Sequence, residues 1–591
     1  MSYQVESPIA QIDGQNLTED QRYYLNGYFE GIRQTGVMFN DIEHAPCSSE
    51  SSRNRIDEIL IAEERIKREE HPLDSYYRII ENAQTNRPPE KEEVFRFKWN
   101  GLFFLTPTKD AFMARLRIPG GQLKSYQIRE IGKAAKELST GYLQVTTRSN
   151  LQVRLIKPKD APEFLQRVQN CGLHTRGSGA DNIRNITANP TAGVDLHELM
   201  DVSPFVFELS QYILNHREFY DLPRKFNIAY DGGGLIGSVE DTNDIGAKAV
   251  RIGQNETGLE AGIYYRIKLG GATGHKAFAN DLGILVSPDQ LNKVIIAIVR
   301  VFIQNGNRKN RKKARLKHLL DDWSLDRYLQ ETEKILGASL MKSPLDDKGL
   351  SVGQILSDPP PVPHSHVGIF DQKQIGKKYI GLSMPVGQMT PDQLIGLADL
   401  SEKYGSGEIR LTVWQNLIIP NIPDKNIEIV KRKAVKLGFD WKQSHLQSGF
   451  IACTGNSYCK YASSDTKGHA LKLINYLKKR VVLDQPVNVH ITGCPHSCAQ
   501  HYIGDIGLLA TKTKISGQMV EGYHIFVGGG FDKNRAIGRQ VFNGLSFSEV
   551  QTTMERILKG YLQYRKSSES FQESTSRHDL NSLQTIFCDD Y

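Results

Sequence analysis

Arg115 to Ile118 alternates charged and apolar residues, the period of a strand with one covered face. Ser125 to Leu138 then changes to helical spacing, Tyr142 to Leu155 alternates again, and Ala161 to Cys171 reads as a second helix. This strand–helix–strand–helix order returns later in the chain. Arg117-Ile-Pro119-Gly-Gly121-Gln122 comes back as Ser383-Met-Pro385-Val-Gly387-Gln388. Thr146-Thr-Arg-Ser-Asn150-Leu151 comes back as Thr412-Val-Trp-Gln-Asn416-Leu417. Pro119 and Pro385, Asn150 and Asn416, and Gly172 and Gly438 are each 266 residues apart. A register kept without gaps over that span predicts an internal duplication.

Each alternating unit is followed by a second kind with glycine-rich turns. These run from Asn182 to about Leu340, with Lys268-Leu-Gly-Gly271, and from Phe450 to about Tyr564, with Val527-Gly-Gly-Gly530. The predicted fold class is α+β, a pseudo-twofold repeat of mixed α/β units. The expected divisions are an N-terminal extension over 1–95, alternating units over 96–175 and 366–445, and glycine-rich units over 176–345 and 446–565. A proline-rich linker over 346–365 contains Asp358-Pro-Pro-Pro-Val-Pro-His364. The polar segment 566–591 is expected to be a flexible tail. In the extension, Gln21 to Arg33 has helical spacing, and so does the charged run Ile56 to Glu70. Glu63, Glu64, Lys67, Arg68, Glu69 and Glu70 read there as a solvated helix face.

A chain of 591 residues is too long for one core. With 39% hydrophobic and 24% charged residues it has the composition of a soluble globular protein. No run approaches a membrane span, and Met1-Ser-Tyr-Gln-Val-Glu lacks the basic-then-apolar order of a signal peptide. Seven cysteines over this length do not make a disulfide framework, so a reducing cytoplasm is expected. The formal charge of +7 is too mild to argue for nucleic acid, yet it suits an acidic protein partner or an anionic cofactor.

Four of the cysteines gather in two pairs, Cys453-Thr-Gly-Asn-Ser-Tyr-Cys459 and Gly493-Cys494-Pro-His-Ser-Cys498. The first spacing is wide for zinc, whose pairs usually enclose about two to four residues. Four thiolates are what an iron–sulfur cluster takes. A structural zinc site and buried, unreactive cysteines are the alternatives. Gly455 and Gly493, beside the pairs, would let the backbone approach a bulky group. The position 266 residues before Cys453 is Thr187, so the first half lacks that cysteine. It carries basic residues instead: Arg115, Arg117, Arg148, Arg154, Arg184, Lys225 and Lys313. Arg115 and Arg117 share a strand face, and their repeat partners are Gly381 and Ser383, so the duplicated fold does not itself require charge there. Arg184 lies in Asn182-Ile-Arg-Asn185 without an obvious carboxylate partner, and Lys225 alternates with Asn227 on an expected strand. Gly528-Gly-Gly530 lacks the strand and helix context of a dinucleotide fingerprint.

The C-x5-C, long gap, C-x3-C pattern of Cys453, Cys459, Cys494 and Cys498 resembles the siroheme and 4Fe-4S nitrite/sulfite reductase family. The resemblance implies ferredoxin-like half domains joined to siroheme/Fe-S domains, and covers about Lys98 to Tyr564. It implies a 4Fe-4S cluster on all four thiolates, with Cys498 bridging cluster iron to siroheme iron. Arg115 matches the family's R-x-R-x-P-x-G strand, Arg184 its N-x-R-N segment, and Lys225 and Asn227 its L-P-R-K motif, all implied to form the substrate pocket. Arg148, Gln152 and Lys313 match positions that hold siroheme's carboxylates, and Arg117 is grouped with them. Sulfite-reducing members typically carry a second lysine where this chain has Asn227. One cation fewer suits nitrite, a monoanion, over sulfite, largely a dianion near neutral pH. Some members also carry a Tyr–Cys crosslink, for which Phe103-Phe104 and Asn185-Ile186 leave no pair. The expected activity is assimilatory reduction of nitrite to ammonia, with sulfite reduction as the alternative. An acidic ferredoxin is the expected electron donor, with Lys460 and Lys467 as candidate docking residues. A monomer is expected, engaging neither nucleic acid nor membrane.

Overall fold

The computed structural model describes residues 60–589 apart from 253–259, 344–354, 357–365, 443 and 532–533. Residues 1–60 form a unit of their own, described only as the antiparallel pair Gln11–Ile12 and Gln15–Asn16. The helix expected at Gln21 to Arg33, Cys47 and the proline-rich segment lie outside the described residues.

The duplication is carried element by element. Helix Ser125–Leu138 has its copy in Pro391–Tyr404, and Ala161–Asn170 in Ile427–Lys436, each displaced by the interval seen in the sequence. Ile128, Ile131, Ala134 and Ala135 form the buried stripe of the first helix; Leu394, Leu397, Ala398 and Ser401 form that of its copy. The alternation from Tyr142 to Leu155 resolves into two antiparallel strands, Leu143–Val145 and Leu151–Ile156. The turn between them needs a left-handed residue, Ser149 at φ 46°, and its copy Gln415 sits at φ 60°.

Each half completes the other's sheet. Gln122–Lys124, from the first half, pairs with Glu408–Leu411 of the second, in the register Lys124 to Glu408, Leu123 to Ile409 and Gln122 to Arg410. Reciprocally, Gln388–Met389 pairs with Leu143–Val145, Gln388 facing Gln144. Both resulting sheets have five strands. Their helices pack on one another so closely that a Cβ on Gly132 would stand 2.6 Å from Ile395 Cγ1. One hydrophobic core therefore takes residues from both halves.

The glycine-rich units build the remaining sheets. Ile228–Asp231, Ile245–Ile252, Gly262–Leu269, Asn280–Val286 and Ile355–Leu356 form one, backed by the buried helix Leu291–Asn305. Phe450–Ala452, Val489–Thr492, Ile506–Ile515, Gln518–Val527 and Arg539–Ser546 form the other. Its first three strands are parallel, so the chain leaves Ala452 and Thr492 at the same edge of the sheet. Ligands of open α/β sheets gather at the carboxyl ends of such strands. Among the described residues no helix is long and apolar enough to cross a membrane.

Two expectations are corrected. The segment expected to be a flexible tail forms helices Phe571–Arg577 and Leu580–Cys588, and Phe571, Leu583 and Phe587 are buried in the core of the last sheet. Ser570 and Glu573 make a capping box and Asp579 caps the second helix, while Leu583, Ile586 and Phe587 share one face. A polar average composition had hidden that face. The charged run is helix Ala62–Glu69, but it is not solvated all round: Glu64 and Lys67 are buried and paired at 2.5 Å. Arg308 reaches Glu64 at 2.9 Å and Asp221 reaches Lys67 at 3.1 Å, so residues distant in the chain supply the partners that permit burial.

Candidate active site

Both cysteine pairs leave the carboxyl ends of adjacent parallel strands. Cys453 follows Phe450–Ala452, with its N–H donated to the Ile491 carbonyl at 3.0 Å; Gly493 and Cys494 follow Val489–Thr492. The Gly493 N–H donates to Cys453 Sγ at 3.1 Å, Thr466 Oγ1 lies 3.6 Å from the same sulfur, and His496 Nδ1 lies 3.4 Å from Cys494 Sγ. The flanking glycines serve the protein's own packing. A Cβ on Gly493 would stand 2.6 Å from Ala462 Cβ, and Gly455, at φ +75°, would press on the Thr466 amide at 2.9 Å.

The four sulfurs share one neighbourhood. Burial pushes the Cys494 thiol up to about 12, with Cys498, Cys459 and Cys453 adding to it. Cys498 is exposed, but toward a cavity: burial by the surrounding protein and then Cys453 raise its thiol. Among the described residues no three His, Cys, Asp or Glu side chains converge as a single metal ion requires. A polynuclear cluster spreads its thiolates more widely than one ion does.

Above Cys453 and Cys498 opens a cavity of about 720 Å³, lined by eight Arg and Lys side chains and, among the described residues, no carboxylate. That volume lies within the ordinary range for a cofactor or ligand site. Arg115 ends strand Phe112–Arg115, stands 4.3 Å over the Phe103 ring and donates to the Ser178 carbonyl at 3.3 Å. Arg184 donates to the carbonyls of Ser178 at 2.5 Å and Ala180 at 2.7 Å. Arg148 donates to Asn243 Oδ1 at 2.5 Å. Lys225 makes no hydrogen bond or ion pair among the described residues, and Asn227 commits only its backbone, donating to Asp244 Oδ2 at 2.8 Å. The two lie in an extended segment ahead of strand Ile228–Asp231 and both face the cavity.

Burial lowers Arg115 and Arg148 to about 10 and Lys225 to about 7, the last helped by neighbouring Arg315. Arg184 falls well below its ordinary value through burial and then through Arg115. Among the described residues these crowded cations have no carboxylate ion-pair partner, which is the electrostatic signature of a site for anions. Arg311 and Arg315 also line the cavity but are neutralised from behind by the fully buried Asp181 and Asp244.

Gln152 lines the cavity and accepts from Arg154 at 2.8 Å. Two expected cofactor-binding residues do not line it. Arg117 is buried with its guanidinium donated to the carbonyls of Arg176, Ile183 and Arg184, because the chain leaves the strand after Arg115 and bridges to His174. Lys313 is exposed: the short turn Arg311–Lys313 turns Arg311 and Lys312 toward the cavity and Lys313 away. Arg224, Arg311, Lys312, Arg315, His275 and His496 are lining residues that the sequence reading passed over. The basic run from Arg308 to Lys317 was the visible signal for Arg311, Lys312 and Arg315, and no such run marks Arg224, His275 or His496. Lys467, expected at a docking surface, is 4% exposed and donates to the carbonyls of Val386 and Ala452. Lys460 is exposed.

The comparisons with known proteins follow the same division of the chain. The family model described as nitrite and sulphite reductase 4Fe-4S domain matches residues 179–340 and 449–575. That described as nitrite/sulfite reductase ferredoxin-like half domain matches 106–171 and 370–437. A ferredoxin–nitrite reductase of Synechococcus elongatus is 34% identical over 479 residues, covering 80% of this chain and 90% of that protein. The chloroplastic ferredoxin–nitrite reductase of Spinacia oleracea is 32% identical, covering 78% and 77%. The assimilatory ferredoxin-dependent nitrite reductase of Haloferax mediterranei is 29% identical, covering 82% and 85%. The solved structure of the Mycobacterium tuberculosis NirA protein superimposes with a TM-score of 0.80 at 27% identity, covering 89% of this chain and 97% of that one. With two family models tracking its duplicated halves, and relatives matching it over most of both lengths, the chain belongs to the nitrite and sulfite reductase family.

Proposed function

We propose that the chain is an assimilatory, ferredoxin-dependent nitrite reductase that makes ammonia with a siroheme and a 4Fe-4S cluster. The observation that carries this reading is a cavity lined by Cys453, Cys498, Arg115, Arg184, Lys225 and the neutral Asn227 and, among the described residues, by no carboxylate. The residues present fit the cofactors. A macrocycle rich in carboxylates calls for several cations; Arg148 and Lys312, which form no ion pair among the described residues, line the cavity beside the substrate set, as does Arg224, which reaches Asp181 at 3.4 Å. Cys453, Cys459, Cys494 and Cys498 would hold the cluster. When bound, the cofactors supply single electrons and a metal centre that polarises nitrite.

The chain's own residues do the rest. Arg115 and Arg184 are each anchored to the Ser178 carbonyl, which fixes their guanidinium groups for bonds to an anion's oxygens. Arginine holds its protons too tightly to be a good donor. Lys225, brought to about 7 by burial, is the side chain suited to give a proton during N–O cleavage. Asn227 adds hydrogen-bonding capacity without charge. Three relatives are named for ferredoxin, and a chain of net charge +7 suits an acidic donor of that kind. Exposed Lys460, next to Cys459, remains a candidate for that docking surface. A reducing cytoplasm belongs to the same reading, since the ligands must be kept as thiolates.

The test is an absorption spectrum of the purified protein together with kcat/KM for nitrite and for sulfite, using a one-electron donor. A Soret band, a red band and a clear preference for nitrite are expected. A colourless protein overturns the cofactor assignment, and a preference for sulfite overturns the substrate.

A further inference from the structure

Arg154 lies in strand Leu151–Ile156 and is 2% exposed. Its Nη2 donates to Gln144 Oε1 at 2.9 Å, Gln152 Oε1 at 2.8 Å and Thr454 Oγ1 at 2.8 Å, all neutral oxygens. Its guanidinium carbon lies 5.5 Å from the centre of the Tyr458 ring and 5.9 Å from that of Tyr142. Its Nε is buried without a hydrogen-bond partner, and no carboxylate pairs with it among the described residues. Burying a guanidinium without a counterion is costly, and such a group persists where something else offsets it. Two of its neighbours point to what that is: Thr454 follows Cys453 and Tyr458 precedes Cys459. The copy of this position in the second half is Pro420, so the duplicated fold does not need a charge here.

We infer that Arg154 is the internal counter-charge of the iron–sulfur cluster and holds its reduction potential up, so that the cluster is readily reduced by the external donor. The inference rests on the reading of Cys453, Cys459, Cys494 and Cys498 as cluster ligands. Reduction adds one electron to a group already made anionic by thiolates. A fixed positive charge in a poorly polarisable surrounding favours the more negative state. Arg154 acts through the cluster and touches no substrate. Lys467, in the first turn of helix Thr466–Leu477, is a second buried cation; it donates to the Ala452 carbonyl at 3.2 Å, one residue before Cys453, and forms no ion pair among the described residues.

The experiment is a redox titration of the holoprotein, followed by the paramagnetic resonance of the reduced cluster, with iron and acid-labile sulfide measured on each sample. Arg154→Gln is expected to keep its cluster but to be at least tenfold harder to reduce, about 59 mV for a one-electron couple. Arg154→Lys, which keeps the charge, is expected to recover most of that shift. An unchanged midpoint in Arg154→Gln at full iron content overturns the inference, as does a shift in Arg154→Lys as large as in Arg154→Gln. If Arg154→Gln loses its cluster, Lys467→Met is titrated instead; a shift in the same direction supports the inference and an unchanged midpoint overturns it. If both neutral variants lose the cluster, Arg154→Lys decides: a retained cluster at the parent potential supports the charge, and loss there too overturns it. Wild-type protein free of iron and sulfide would instead overturn the ligand assignment on which the inference rests.

Discussion

Lys225 and Asn227 face one cavity from alternate positions of an extended segment, so a single side chain decides how many cations an anion meets there. Asn227→Lys is expected to raise the sulfite-to-nitrite ratio of kcat/KM by about tenfold, equivalent to about 1.4 kcal/mol. Lys225→Ala is expected to depress both substrates, because both need the cation. Both are measured with one chemical reductant, so that donor docking does not enter, and an unmoved ratio in Asn227→Lys at normal haem content removes this residue from selectivity. Asp505, away from the cavity lining, gives a stability prediction. Its carboxyl accepts from the Asn488 N–H at 2.8 Å, and burial raises it to about 7. The folded state thus binds the proton more tightly than the unfolded chain, whose aspartates titrate near about 4. The contribution is complete below that value and is lost as pH rises through about 7. Asp505→Asn should therefore raise the melting temperature at pH 8 and leave it nearly unchanged at pH 4. Asp505 keeps part of its surface in solvent, which trims the gain to on the order of 1–2 kcal/mol.

At the scale of elements, spacing was legible wherever one face of a helix or strand is covered by its own half of the chain. Ser125–Leu138 has the bounds that its apolar stripe predicts. The C-terminal helices were not legible, because seven-residue Phe571–Arg577 and nine-residue Leu580–Cys588 are too short for a periodic pattern to outweigh their polar composition. They are nonetheless part of the core. Phe571 is 0% exposed and its ring centre lies 5.2 Å from that of Tyr561. Phe571→Ala is expected to cost about 3–5 kcal/mol. The reading is a lowered thermal midpoint with the far-ultraviolet spectrum of the remaining fold intact at low temperature. A variant that melts like the parent would show the two helices to be dispensable cover.

For the whole molecule, the exchanged strands make the halves dependent on one another. Without Gln388–Met389 the first sheet ends at Leu143–Val145, and without Gln122–Lys124 the second ends at Glu408–Leu411, each with an unpaired edge. The Ser125–Leu138 and Pro391–Tyr404 faces would also lose each other's cover. Residues 1–345 and 366–591 produced separately are therefore expected to aggregate or to remain partly folded, and to recover solubility when produced together. A monomeric, cooperatively melting first fragment would show that the exchange contributes little.

The duplication, its constant interval, the bounds of helix Ser125–Leu138 and the paired cysteines belong to the sequence alone, because periodicity and spacing are properties of neighbours along the chain. They suffice to single out four cysteines in two pairs and to suggest the family that they resemble. The tertiary structure alone decides which cations from Arg308 to Lys317 face the cavity, since a short turn sends Lys312 inward and Lys313 out. It likewise decides that Arg117 serves backbone carbonyls and that Lys467 lies inside the molecule. The exchange of strands between halves depends on pairings hundreds of residues apart, as Lys124 with Glu408. Charge in a sequence has no address until the fold fixes what surrounds it, and burial, which sets both its cost and its chemistry, is contributed by residues remote in the chain.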